Sequence, residues 1–460
     1  MRPVLTVAEM RDADERARRL VPESELIARA GFAVATAALE MLGGGYGRRV
    51  VVLAGKGNNG NDGRVAAAAL ARRGARVEVV DAAVAPPRLS DCDLVIDAAY
   101  GTGFSGSYDA PQIPPGTAVL AVDIPSGVNG DTGEMPGRAL AAARTLTFAA
   151  LKRGLLMGEG PRVAGLVTVA DIGVPTDGAS AGLVEDADLA GLPRRQPSAH
   201  KWASAVAVVA GSPGMEGAGF LCARGAGRAG AGMVRLAVPG ADERSAARWP
   251  AEAVRLMLGP TGWADEVLGV LERCRALVIG PGLGREDATI EAVRRVVAGS
   301  PVPVVADADA LFALGKADEA GAIVESSERP VVLTPHDGEY RRLVGDDPGA
   351  DRVSAARRLA EATGAVALVK GPLTAVASPD PARPVLLAAA GTPALATAGT
   401  GDVLSGIIGA FMARGADPLH AAAWGAHVHG AAARRGRRDG LLSVDLPDLV
   451  ADWLSAAARG

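Results

Sequence analysis

Two glycine-rich stretches hold the residue types that phosphate and proton chemistry need. In VVLAGKGNNGNDG, Val51 to Gly63, an apolar run leads into Gly55, Gly57 and Gly60 in G-x-G-x-x-G spacing. A helix-like AAAALARR follows, and Asp81 comes about 20 residues on, where dinucleotide-binding proteins keep a ribose-binding carboxylate. The residues between the glycines are Lys56, Asn58, Asn59, Asn61 and Asp62. An acid in the first helical turn competes with phosphate for the same backbone N–H groups, so the spacing alone does not make this a cofactor loop. In GTPALATAGTGDVLSGIIGAFMA, Gly399, Thr400 and Gly401 precede Asp402 and an apolar helix. Consecutive N–H groups at a helix start form an anion hole, and an aspartate at its lip can take the proton from a hydroxyl attacking a phosphoryl group. No G-x-x-x-x-G-K-[ST] occurs, so this kinase-like arrangement is not a P-loop.

Further polar residues fall at the ends of apolar runs: Asp97 with GTGFSGS (Gly101–Ser107), DIPSG (Asp123–Gly127) and LKRG with Lys152. Asn59, Asp97 and Ser126 supply oxygens suited to a hard cation. Basic residues are nearly all arginine, and four of the five lysines (Lys56, Lys152, Lys201, Lys316, Lys370) lie beside glycine-rich loops. Asp307 and Asp309 in ADADAL end another run, placed either to reach a divalent cation or to face solvent. His427 and His429 are two apart, on different faces of a helix, which disfavours a shared metal.

These residues need strands to carry them. The runs RRVVVLAG, ARVEVVD, DLVIDAAYG, TAVLAVDIP, ARTLTFAA and LVTVADIG alternate with Ala/Arg-rich helical stretches, the pattern of a parallel sheet with ligand loops at its carboxyl edge. Val174 to Lys201 is polar and Pro/Gly-bearing and reads as a linker. A second alternation follows in AVAVVAG, MVRLAVP, ALVIGPG, VPVVADAD, VVLTPH and AVALVKG. At 460 residues the chain exceeds one domain, so two different α/β domains are expected, residues 1–181 and 182–460.

Composition bounds the class. The net charge of −4 and the absence of a long basic run argue against a nucleic-acid surface. The odd, scattered Cys92, Cys222 and Cys274 suggest reduced thiols, and no signal peptide or apolar stretch of about 20 residues is seen. A cytoplasmic protein without nucleic-acid or membrane partners is expected, with a homo-oligomer as its assembly.

GKGNNGNDG, IDAAYGTGFSG and VDIPSGVNGDTGE resemble the epimerase domain of the NAD(P)H-hydrate repair enzymes over roughly residues 1–180. The resemblance implies a Rossmann-like three-layer domain that interconverts the R and S hydrates of NADH and NADPH (NADHX and NADPHX). It implies substrate contacts at Asn58, Asn59, Gly60, Asn61 and Asp62 and at Gly101, Thr102, Gly103, Phe104, Ser105, Gly106 and Ser107, with Asp123 as catalytic acid/base. K⁺ would bind Asn59, Asp97 and Ser126. Lys152 is near the site by the same likeness, although it would favour the carboxylate form of Asp123, whose acid role calls for a raised pKa. Asp81 becomes an ordinary strand-end acid without a part in ribose selection.

GTGD, KGPLT (Lys370–Thr374), TPHDGE, PGLG and HKWASAVAVVAGSPGMEGAG occur in the order of the dehydratase domain of the same family, which is ribokinase-like. The resemblance implies nucleotide-driven dehydration of the S hydrate. Asp402 would be the base, Ala218, Gly284 and His336 would line the hydrate, and Lys370, Gly371, Pro372, Leu373, Thr374 and Gly401 would hold ADP or ATP with Mg²⁺. Trp202 departs from the family pattern, which commonly has glycine after His-Lys. The other readings are an NAD-dependent oxidoreductase fused to a ribokinase-like small-molecule kinase, and a first half that binds ligand without catalysis.

Overall fold

The computed structural model describes residues 1–457. The chain divides into two compact units, Arg2–Ser180 and the remainder from Ala181.

The first unit is built on a 6-stranded parallel sheet: β1 (Arg49–Ala54), β2 (Arg76–Asp81), β3 (Leu94–Ala98), β4 (Ala118–Val122), β5 (Arg144–Phe148) and β6 (Leu166–Ala170), in the order β6-β5-β4-β3-β1-β2. Period-two alternation splits the central strands β1, β3 and β4 between two cores. Val50, Val52 and Ala54 share one core with Ile96, Leu120 and Leu146 and with α1 (Val7–Arg18), α2 (Glu23–Leu42) and α3 (Asn58–Arg72). Val51 and Leu53 join Val95, Val119 and Ala121 in the other. That second face is covered by Leu89, Tyr108, Ala110, Leu140 and Ala142 from connecting segments. Its layer is loop, not helix, because the links from β3 to β4 and from β4 to β5 contain no helix. The strand order reverses between β1 and β3, and an open α/β sheet binds ligands outside the carboxyl ends at such a point.

The second unit has a mixed sheet. Its strands are β7 (Ala181–Leu183), β8 (Ala205–Val209), β9 (Met233–Ala237), β10 (Ala253–Leu256), β11 (Ala276–Ile279), β12 (Val304–Ala306), β13 (Val331–Leu333), β14 (Val366–Val369), β15 (Thr374–Ala377) and β16 (Val385–Ala388), ordered β10-β9-β8-β11-β12-β13-β14-β15-β16-β7. Pairing is parallel through β14 and antiparallel at β14–β15 and β15–β16. The stretch read as a linker in fact contributes β7, parallel to β16; three short apolar-to-small residues gave too little periodicity to be seen.

Three helices matter for the site: α4 (Glu216–Arg228), α5 (Thr400–Ala413) and α6 (Pro418–Ala433). The low-complexity character of α4 has a packing cause. A Cβ on Gly225 would lie 2.6 Å from the Val403 carbonyl oxygen, and one on Gly406 would lie 2.1 Å from that of Cys222, so α4 and α5 meet backbone to backbone. That contact packs the first two turns of α5 closely on α4.

Candidate active sites

The glycines after β1 have distinct physical reasons. A Cβ on Gly55 would fall 1.9 Å from the Ala99 carbonyl oxygen and one on Gly60 2.0 Å from that of Gly55, whereas one on Gly57 would meet nothing within 4 Å. Gly55 and Gly60 let backbones touch; Gly57 leaves the mouth of α3 open. The helix starts at Asn58 with Gly57 as N-cap, no side-chain cap and no acid in its first turn. Asp62 stands deeper in α3 and is buried, so the expected competition between Asp62 and a phosphate does not arise. The glycine spacing located the loop but not the first helical residue.

A cavity of about 640 Å³ opens at the carboxyl edge of this sheet. Asn58, Asn59, Asp62, Gly101, Thr102, Gly103, Phe104 and Asp123 line it, whereas Gly60, Asn61, Ser105, Gly106 and Ser107 are not among its lining residues. The walls also include Asp14, Lys152, Phe148 and Ile172. Asp14 comes from α1, outside every motif, and no local signal marks it.

Asp123 follows β4 in a left-handed conformation, φ 69°, which short polar side chains tolerate at a cost of roughly 1 kcal/mol. Its Oδ2 accepts hydrogen bonds from the Thr102 backbone N–H at 2.9 Å and from the Thr102 hydroxyl. Its Oδ1 lies 2.6 Å from Lys152 Nζ. That ammonium is 1% exposed and also donates to Thr147 Oγ1 at 2.8 Å and the Phe148 carbonyl at 2.9 Å. Lys152 is fixed by a short parallel pairing of Leu151–Lys152 with Arg2–Leu5, and the nearby Ala149 is a second positive-φ residue, φ 62°. Burial raises the Asp123 pKa, but the Lys152 charge and hydrogen bonds from Lys152 and Thr102 outweigh it and hold the group below its ordinary value. Asp123 is therefore a carboxylate. Asp62 behaves oppositely: burial, then the charges of Asp123 and Asp14, push it up to about 8. Burial raises Asp14 as well, with Lys152 opposing.

Behind Asp123, Ser126 donates from its hydroxyl to Asp97 Oδ1 at 2.6 Å and from its N–H to Asp97 Oδ2 at 2.9 Å, and accepts from the Tyr100 N–H at 2.9 Å. Burial raises the Asp97 pKa against these hydrogen bonds from Ser126. Asn59 packs against Gly101, where a Cβ would stand 3.3 Å from Asn59 Cβ and 3.2 Å from Asp123 Oδ2. Both polar atoms of the Asn59 amide are buried without a partner, a costly state unless a ligand supplies one.

In the second unit the chemistry gathers where α5 begins. Gly399, φ 88°, caps the helix, and Asp402 lies in its first turn. Asp402 has no hydrogen-bond partner among the described residues. Burial, then the charge of Asp307, raise it to about 7 against the opposing pull of Lys370. Lys370 Nζ is 2.6 Å from Asp307 Oδ1 and would be 3.4 Å from a Cβ on Gly401, so its ammonium reaches the helix mouth. Asp307 Oδ2 accepts from Ser405 Oγ at 2.7 Å. Burial also raises Glu339, opposed by Lys370.

Neither aspartate of ADADAL faces solvent freely. Asp307 is buried under Lys370. Asp309 accepts from the Gly284 N–H at 3.0 Å and from Arg285 Nε at 2.9 Å, clamping the Gly284 loop. Ala308 between them is the third non-glycine residue with positive φ, at 52°, which turns the two carboxyls apart. His336 caps a helix, accepting at Nδ1 from the Gly338 N–H at 3.0 Å, while its Nε2 lies 3.5 Å from Glu339 Oε1 and the side chain as a whole is largely exposed. A Cβ on Gly282 would stand 2.9 Å from Ala218 Cβ, which places Ala218 against the same loop as Gly284. In KGPLT only Lys370 reaches the α5 mouth; Leu373 is buried, Gly371 and Pro372 are exposed, and Thr374 begins β15. Trp202 stacks under the Arg273 guanidinium, 4.1 Å from the ring centroid. His427 bonds Asp186 and His429 bonds the Thr400 carbonyl at 2.9 Å, so the pair has separate partners.

Known proteins resemble each unit. The NAD(P)H-hydrate dehydratase family matches residues 206–454, and the YjeF-related protein N-terminus matches 23–92 and 80–154. The bifunctional NAD(P)H-hydrate repair enzyme Nnr of Salinibacter ruber is 38% identical, covering 97% of this chain and 95% of that protein. The enzyme of the same name from Moorella thermoacetica is 36% identical, covering 97% and 96%. Among solved structures, the ADP/ATP-dependent NAD(P)H-hydrate dehydratase of Bacillus subtilis, co-crystallised with ATP/Mg²⁺, is 30% identical with a TM-score of 0.52 over 59% of this chain and 97% of that one. A ribokinase-like protein from Enterococcus faecalis, 20% identical with a TM-score of 0.53 over 61% and 98%, shares the fold. The chain belongs to the bifunctional NAD(P)H-hydrate repair enzymes, pairing an epimerase domain with an ADP/ATP-dependent dehydratase domain.

Proposed function

We propose that the cavity of the first unit epimerises NADHX and NADPHX with two carboxyls in divided roles. The ring carbon that epimerises carries a hydroxyl beside the ring nitrogen. Asp62, which keeps its proton to about 8, protonates that hydroxyl; the C–O bond breaks, water leaves, and the ring nitrogen's electron pair stabilises the cation. The Asp123 carboxylate, kept charged by Lys152 at 2.6 Å, faces that cation and takes a proton from the water that adds to the opposite face. The family resemblance gave Asp123 both duties; the Lys152 contact favours giving the acid's part to Asp62. K⁺ fits the oxygens of Asn59, Asp97 and Ser126, since the Asn59 amide is buried without a partner. When bound it would supply positive charge beside the Gly101 loop.

In the second unit, the open N-terminus of α5 and Lys370 receive the transferred phosphoryl group, and Asp402 takes the proton from the attacking hydroxyl of the S hydrate. Hydroxide is a poor leaving group and phosphate a good one, so loss of phosphate, with a proton from the neighbouring carbon, restores NAD(P)H. Mg²⁺ would be carried on the nucleotide phosphates. Asp307 is held by Lys370 and Ser405, Asp309 by the Gly284 loop and Glu339 by the His336 N–H, which leaves Asp402 as the carboxyl free to act here.

The observation that carries this reading is the convergence of Asp62, Asp123 and Lys152 on one cavity. The test incubates the protein with mixed R and S hydrates and K⁺, first alone and then with Mg²⁺ and ADP or ATP. The R/S ratio is expected to relax without nucleotide, and NADH to appear only with it. Hydride transfer from an alcohol to NAD⁺ without nucleotide would instead support the oxidoreductase reading.

A further inference from the structure

Asp81 satisfies the structural conditions of a ribose-binding carboxylate. It ends β2, in register with Ala54 of β1, and lines the same cavity as Asp62 and Asp123. Its Oδ1 accepts the Ala83 N–H at 2.9 Å, capping the turn Ala82–Val84, which fixes the carboxylate while Oδ2 has no hydrogen-bond partner among the described residues. The glycines divide the labour as in a dinucleotide-binding turn: Gly55 and Gly60 for backbone contact, Gly57 open at an uncapped helix start. The objection to that comparison was an acid in the first turn of α3, and the first turn holds none.

Order along the sheet edge supports one ligand spanning these features. Asp81, the α3 N-terminus, the Gly101 loop and Asp123 follow β2, β1, β3 and β4, which are neighbours in that order. Three strand spacings make about 14 Å, a span suited to an extended dinucleotide with its nicotinamide at Asp123, its pyrophosphate at α3 and its adenosine ribose at Asp81. A 2′-phosphate there would meet a carboxylate, and the residues that follow, Ala82, Ala83 and Val84, offer no cation to receive it.

We propose that Asp81 hydrogen-bonds the adenosine ribose hydroxyls of the substrate and makes the epimerase site selective for NADHX over NADPHX. This rests on the assignment of the cavity to dinucleotide hydrates. The experiment measures kcat/KM for R-to-S interconversion of each hydrate by the full chain, wild type and Asp81→Asn. Asparagine keeps an acceptor for the Ala83 N–H, so the turn survives, and thermal melting verifies the fold. The wild type is expected to prefer NADHX by about tenfold or more, and the variant to narrow the preference to about threefold, chiefly through a lower KM for NADPHX. Equal use of both hydrates by the wild type, or an unchanged ratio in the variant, overturns the proposal. Interconversion of neither hydrate by the wild type overturns the assignment of the cavity itself.

Discussion

Both units use a lysine–aspartate pair at 2.6 Å beside a second carboxyl that burial and charge push toward neutrality, but they turn the pair opposite ways. In the first unit Lys152 is the deeper partner, 1% exposed in the cavity wall, and Asp123 is the more open one, its side chain 14% exposed. In the second, Asp307 is hidden, 1% exposed, and Lys370 reaches the mouth of α5. The first site thus presents a negative group and the second a positive one. The difference matches the proposed chemistry: a ring cation forms in one site, and phosphate is handled in the other. The same pair serves either charge, depending on which partner the fold buries.

The largest effects should come from neutralising the proton-transfer groups. Asp402→Asn should reduce nucleotide-dependent NADH recovery by about 10²- to 10⁴-fold, the usual worth of a general base, while hydrate interconversion proceeds. Asp62→Asn should do the reverse, slowing interconversion by a similar factor and sparing dehydration of pure S hydrate. If either variant slows both half-reactions equally, the division of labour between the units is wrong.

Next comes the burial of the pairs. Lys152→Met leaves Asp123 charged and unpaired, and breaking a buried pair from one side costs about 3–5 kcal/mol. Lys370→Met uncovers Asp307 at an open helix start, where the lysine side chain is 20% exposed and water can take the place of the ammonium, and so should cost less. Chemical denaturation of the two variants orders them, and an equal loss would remove the contrast drawn between a hidden ammonium and a hidden carboxylate.

The pH dependence of the half-reactions should slope in opposite directions. The epimerase needs Asp62 protonated, so its rate should hold below about 8 and fall tenfold per unit above it. The dehydratase needs Asp402 ionised, so its rate should climb tenfold per unit up to about 7 and then level. Stability of the first unit follows from the same group. Folded Asp62 holds its proton to about 8, while an unfolded carboxyl releases it near 4. Its favourable contribution is complete below the unfolded value and is lost as pH rises through the folded one. Parallel rate profiles for the two half-reactions would contradict both roles.

The sequence reached the residues that sit where strands end in glycine loops: Asp123, Asp97 and Ser126, Lys370, and Asp402. Each lies in a short segment whose glycines and apolar run are local signals. What it could not reach depends on tertiary burial. Asp62 read as an acid in a helix's first turn and, by the resemblance, as a substrate contact, but not as a buried acid, because nothing local tells that the helix begins at Asn58 and that α1 brings Asp14 alongside. Asp307 and Asp309 stayed ambiguous because their divergence comes from the positive φ of Ala308, a residue type that gives no warning. The loop layer on the far face of the first sheet was hidden for a related reason, since parallel strands read alike whether loops or helices cover them.

The smallest expected effect tests the contrast most finely. Lys370→Arg keeps the charge, and the lysine side chain it replaces is 20% exposed at an open helix start, so a guanidinium has room to meet the phosphate. NADH recovery should fall by less than about tenfold, mostly as a higher KM for the nucleotide. The same change at Lys152 has no such room. There the ammonium's partners are Asp123, Thr147 Oγ1 and the Phe148 carbonyl, in a pocket that leaves the side chain 1% exposed. Hydrate interconversion by Lys152→Arg should therefore fall well beyond the loss seen for Lys370→Arg. Equal tolerance at the two positions would mean that each site asks its lysine only for charge, and that which partner the fold buries does not set what the site can do.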